Sequence, residues 1–107
     1  MNWTKPSFAL VTLLDLSMVW ADTDRGKSDG ERIFQQCGGC HSEKTGESKV
    51  GPSLKGLFKK RNLLNGKPAT EQYIRLRITN GGDGMPPFQQ ILSAKEIDQV
   101  IAYLKKL

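Results

Sequence analysis

The sequence predicts an all-α fold of about three to four helices, and three observations carry that prediction. Apolar residues recur at helical spacing in segments that each open on Ser, Asp or Thr, the residues that cap helix N-termini. No stretch alternates apolar and polar residues for long enough to read as a strand. Clusters of Gly, Pro and Asn separate the periodic segments, as loops do.

Taken in order, Met1 to Ala21 comes first, with one cation at Lys5, an apolar run from Phe8 to Trp20, and small Ala21 at its end. This pattern resembles a secretory signal cleaved after Ala21, and the chain turns strongly polar from Asp22 to Glu31. The run falls short of the roughly 20 residues of a membrane span, so stable membrane insertion is not expected. Asp15 inside the run is uncommon in a signal, and an uncleaved anchor stays open as the alternative. The boundaries are therefore 1–21 for the signal and 22–107 for one domain; removing 21 of the 107 residues leaves 86.

Ser28 or Asp29 is placed to cap a first helix running through Gly30, Ile33 and Phe34 to Cys37. Residues 42–69 are rich in Gly, Lys, Ser and Pro and read as loop, with one short helix near Leu54 to Phe58. A second helix starts at Thr70, carries Tyr73, Ile74, Leu76 and Ile78, and stops at Asn80-Gly81-Gly82. The last is the clearest. Ser93 to Glu96 forms a capping-box pattern, Ile97, Val100, Ile101 and Leu104 follow at helical spacing, and Lys105 and Lys106 sit where the dipole favours cations.

The chemistry lies in Cys37-Gly38-Gly39-Cys40-His41, the C-x-x-C-H signature of covalent haem attachment. On a helical turn the two sulfurs lie on one face, where each can form a thioether with a haem vinyl group, and His41 follows beneath the iron. Gly38 and Gly39 let the backbone lie close to the porphyrin. A zinc site needs about four ligands, and two Cys and one His do not supply them. A thioredoxin-like pair should follow a strand in a βαβ unit, whereas a helical pattern precedes Cys37. A domain this small also needs a staple, which one haem c bound through Cys37 and Cys40 provides.

His41 is the only histidine, so a second imidazole cannot come from this chain. Met1 and Met18 fall in the signal, which leaves Met85 as the one thioether of the mature chain and the candidate second iron ligand. It sits in Gly81-Gly82-Asp83-Gly84-Met85-Pro86-Pro87-Phe88, where glycines permit close approach and prolines stiffen the loop. The alternative is that Met85 fills a core gap and leaves the iron five-coordinate or lysine-bound.

These residues resemble the small soluble monohaem class I cytochromes c of the bacterial type, over nearly all of residues 28–107. Val50-Gly51-Pro52-Ser53-Leu54-Lys55-Gly56-Leu57-Phe58 is similar to the segment after the haem motif in that family. The resemblance implies the cytochrome c fold, helices wrapped around one covalently bound haem, with Gly30 and Phe34 crossing Val100 and Tyr103 of the last helix. It further implies that the Pro52 carbonyl accepts the Nδ1 hydrogen of His41, which fixes the ring on the iron. Relatives often anchor a propionate with a tryptophan, but Trp3 and Trp20 both fall in the signal. Arg75, Arg77 and Asn80 are the candidate replacements.

The implied function is single-electron transfer between respiratory or other redox complexes, in the periplasm or otherwise outside the cytoplasm, by a monomer that is not itself an enzyme. A dedicated subunit of a dehydrogenase or oxidase is the second reading. A haem sensor or peroxidase-like enzyme would need an open axial position, against which Met85 argues. With 16 basic and 11 acidic residues the net charge is +5, and Lys59-Lys60-Arg61 is the densest basic run. That run is either a solvated face or a docking patch for acidic redox partners. Nucleic acid is not expected, because no aromatics interleave with the basic residues.

Overall fold

Side-chain caps start each α-helix among the described residues, which are residues 3, 4 and 27–107 of this computed structural model. Apart from Trp3 and Thr4, the segment read as an export signal lies outside them. Helix α1 (Asp29–Phe34) begins where the Ser28 hydroxyl accepts from the Glu31 amide at 3.2 Å. It stops three residues short of the expected Cys37, and the chain continues as turns, with the Cys37 amide donating to the Phe34 carbonyl at 2.7 Å. Gly38 and Gly39 disfavour any helix through the pentad itself, since each costs about 1 kcal/mol relative to alanine in a helix interior.

Helix α2 (Glu71–Asn80) starts where the Thr70 hydroxyl accepts from the Tyr73 amide, and it ends at Gly81, whose φ of 67° few side-chain-bearing residues tolerate. Helix α3 (Ala94–Leu104) carries both arms of the capping box: the Glu96 amide donates to the Ser93 hydroxyl at 3.1 Å, and the Ser93 amide to the Glu96 carboxylate at 3.0 Å. The short helix expected near Leu54 to Phe58 is a single 3-10 turn at Leu57–Lys59. Gly56 precedes it in the left-handed region, so an α-helix cannot run through from Leu54. No strand forms among the described residues; Asn62 with Pro68, and Gly82 with Met85, make isolated bridges.

The core is where these helices meet. Helix α3 contributes Ile97, Val100, Ile101 and Leu104, helix α2 Ile74 and Ile78, and helix α1 Ile33 and Phe34, with Leu57, Phe88 and Leu92 from the loops. Helices α1 and α3 approach until Gly30 lies on the backbone of Gln99, with the Tyr103 Cβ 2.8 Å from where a Gly30 Cβ would stand. Beside that contact the Phe34 and Tyr103 rings tilt at 54° with centroids 5.3 Å apart. Helix α2 is tied to α3 at the surface, where Arg75 pairs with both Glu71 and Asp98, and Lys105 also reaches Glu71.

Candidate functional site

The turns after α1 present the C-x-x-C-H residues in sequence. The His41 amide donates back to the Cys37 carbonyl at 3.0 Å, which winds the pentad into one helical turn. Both cysteines are free, Cys40 exposed and Cys37 half-buried against the core cluster. Burial pushes the Cys37 thiol up, and the neighbouring Cys40 adds to the effect.

The following loop is built around the imidazole. His41 Nδ1 lies 2.7 Å from the Pro52 carbonyl oxygen, and because a carbonyl only accepts, Nδ1 carries the hydrogen. Nε2 is then the one ring nitrogen with a free lone pair. Gly51 lies flat against the ring: a Cβ there would stand 2.7 Å from Nδ1 and 3.0 Å from Nε2. The Gly51 amide donates to the Cys40 carbonyl at 2.7 Å, and the Leu54 amide to the Ser42 carbonyl at 2.8 Å. Lys49 closes the loop on the pentad by donating to the Gly38 carbonyl at 3.0 Å.

Met85 sits on a different segment, half-buried against the same core that Cys37 borders. Its amide and carbonyl exchange hydrogen bonds with Gly82 at 3.0 and 2.9 Å, closing a tight turn over Asp83 (φ 52°) and Gly84 (φ 88°). Two positive φ values in succession define the primed turn that Asp-Gly favours. Gly81 lets the turn fold back on itself, because a Cβ there would overlap the Met85 carbonyl and stand 2.7 Å from the Pro86 carbonyl carbon.

Some of the arrangement was not visible in sequence. Tyr103, expected in the crossing of the first and last helices, also donates its hydroxyl to the Glu43 carboxylate, two residues past His41. Burial and then that carboxylate push the Tyr103 phenol well above its ordinary value. The propionate candidates are largely committed inside the protein: Arg75 to Glu71 and Asp98, Arg77 to Gly81, Tyr73 and Asp83, with Asn80 exposed. The spacing of Tyr73, Arg77 and Gly81 at four-residue steps is the one sequence signal that placed them on a common helix edge.

These residues fit a c-type haem by their donor chemistry. Two free thiols stand three positions apart, the imidazole has its far nitrogen available and its near one held, and a thioether rides on a stiff turn. An apolar group would also cover Leu76, which is 51% exposed on α2. A strandless helical domain with this pentad is a c-type cytochrome, an electron-transfer module that carries haem. The family model described as cytochrome c oxidase, cbb3-type, subunit III matches residues 25–104, and the chain belongs to that family. No curated protein matches it.

Proposed function

We propose that this chain is a single-electron carrier of the small, soluble monohaem type, shuttling electrons between redox complexes outside the cytoplasm. The observation that carries the reading is the held imidazole: Nδ1 committed to Pro52, Gly51 against the ring face, and the free cysteine pair one turn away. Cys37 and Cys40 would hold one haem c by thioethers, and His41 and Met85 would be the ligands of its iron. When bound, the haem supplies a one-electron iron couple whose potential a thioether ligand raises relative to two nitrogen ligands. The chain's own residues orient and protect it. Pro52 fixes the tautomer and direction of His41, the Gly82–Met85 turn presents the thioether, and occupation of both axial positions favours outer-sphere transfer over bond-making chemistry.

Partners dock through the loop between the pentad and α2. Residues 48–69 hold Lys49, Lys55, Lys59, Lys60, Arg61 and Lys67 and no acidic residue, and among the described residues no ion pair engages Lys59, Lys60 or Arg61. A cationic loop favours acidic redox proteins and makes the encounter rate fall with salt. The family's description names an oxidase subunit, which favours a second reading in which the domain passes electrons within such an assembly. No helix among the described residues is long and apolar enough to cross a membrane.

The test is a reduced-minus-oxidised visible spectrum of the exported protein with a pyridine haemochrome assay for covalent attachment. Colourless protein from cells with a working maturation apparatus overturns the reading. Co-purification of the haem-loaded chain with a membrane oxidase distinguishes the subunit from the free carrier.

A further inference from the structure

Arg77 is the side chain that reaches the Met85 turn from a rigid element. Its Nη2 donates to the Asp83 carboxylate at 3.2 Å, and its Nη1 lies 3.5 Å from the Gly81 carbonyl oxygen. The Nη1 end of the guanidinium also presses on the turn, since a Cβ on Gly82 would come within 2.6 Å of it. It also donates to the Tyr73 hydroxyl at 3.3 Å, and Asn65 donates to that same oxygen at 3.0 Å. One planar group thus joins the 62–68 loop, helix α2 and the Gly82–Met85 turn. The Arg77 side chain is 23% exposed while its partner Asp83 is 83% exposed, so the anchor is held and the turn is what it restrains.

The neighbouring arginine shows that this is not a generic feature of α2. Arg75 spends its guanidinium on Glu71 and Asp98 and makes no contact with the turn. The Asp83-Gly84 turn has a geometry its own residues favour, and a planar, forked donor ties that turn to helix α2 better than a flexible ammonium would.

We infer that Arg77 is a positioning residue for the sixth iron ligand: with Tyr73 and Asp83 it holds the Gly82–Met85 turn closed, and so keeps the Met85 sulfur on the metal. The inference rests on the axial role of Met85 proposed above. It predicts that opening of the axial position to exogenous ligands is governed by a hydrogen-bonded clamp outside the coordination sphere.

The test uses the full haem-loaded protein well below its unfolding midpoint, with two readouts: the thioether-to-ferric charge-transfer band, and the rate of carbon monoxide binding to the reduced form. Arg77→Ala weakens the band and speeds carbon monoxide binding roughly three- to tenfold, the size expected for losing one exposed ion pair and its charged hydrogen bonds. Arg77→Lys keeps the charge but not the fork and recovers less than half of the change. Tyr73→Phe and Asp83→Asn each give part of the effect and add little on top of Arg77→Ala, as members of one network do. Wild-type values of both readouts in Arg77→Ala, whatever its melting temperature, overturn the inference while Met85→Ala still abolishes the band. If Arg77→Ala does not fold, unchanged readouts in both Tyr73→Phe and Asp83→Asn overturn it equally. Should Met85→Ala itself leave both readouts unchanged, the axial reading falls and the clamp falls with it.

Discussion

Replacing Gly30 with alanine should loosen the contact on which the two helices flanking the haem motif depend. A Cβ at that position would overlap the Gln99 carbonyl oxygen, stand 2.8 Å from the Tyr103 Cβ and 3.0 Å from the Gln99 carbonyl carbon. Two of those atoms are backbone of α3, so no rotamer change relieves the overlap, and α1 must shift away from α3. Overpacking of this kind costs about 1–3 kcal/mol. Alanine returns at most about 1 kcal/mol of helix propensity, and less here because Gly30 is the second residue of α1. The net loss is about 1–2 kcal/mol. In a domain of this size each 1 kcal/mol moves Tm by about 4–8 °C, so a fall of about 4–15 °C is expected. Thermal unfolding of the haem-loaded protein by far-ultraviolet circular dichroism measures it, with Gly46→Ala as a control, since nothing lies within 4 Å of a Cβ there. A Gly30→Ala variant that melts at or above the wild-type temperature would show that propensity outweighs the clash and would refute the argument.

Three further outcomes follow from the site. Gly51→Ala puts a methyl group 2.7 Å from His41 Nδ1; the ring, held by Pro52, has to turn, which costs about 1–3 kcal/mol and shifts the midpoint potential, so unchanged Tm and potential would disprove the contact. Tyr103 has a folded-state pKa raised by burial and by Glu43. Its neutral phenol therefore stabilises the fold fully below about pH 10, its ordinary value, and that contribution fades as pH rises toward the folded value. The gap in denaturant midpoint between wild type and Tyr103→Phe should accordingly be constant below about pH 9 and narrow progressively as pH rises above about 10, and a constant gap across that rise would contradict the linkage. In the Cys37→Ala, Cys40→Ala double variant, which cannot attach haem, the small core should fail to hold the chain together; cooperative, native-like circular dichroism melting would count against the haem as staple.

What could be read in the sequence was what local chemistry determines. Ser28, Thr70 and Ser93 announce helix starts because a cap is completed within three residues, by Glu31, Tyr73 and Glu96. Asn80-Gly81 announces a helix end for the same reason. The end of α1 was less legible: its apolar pattern carries on toward Cys37, whereas the helix ends at Phe34 and the chain continues in turns. The pentad is contiguous, so its chemistry is visible without any knowledge of the fold.

The supports around the site are another matter, because they join residues that share no pattern. Nothing in the spacing of Glu43 and Tyr103, sixty positions apart, indicates that they meet, and Lys49 reaching the Gly38 carbonyl is equally silent in sequence. Gly51 is the instructive case. As a glycine in a loop it carries no more weight than Gly46, yet one has open space around it and the other is the surface on which the imidazole rests. The Met85 turn falls between these extremes. Asp83-Gly84 states its own geometry, since both positions demand positive φ, while the group that holds the turn shut comes from Arg77, on the helix before it. A thioether on such a turn can be found from composition by elimination; how firmly it is held depends on a guanidinium whose partners only the folded chain brings together.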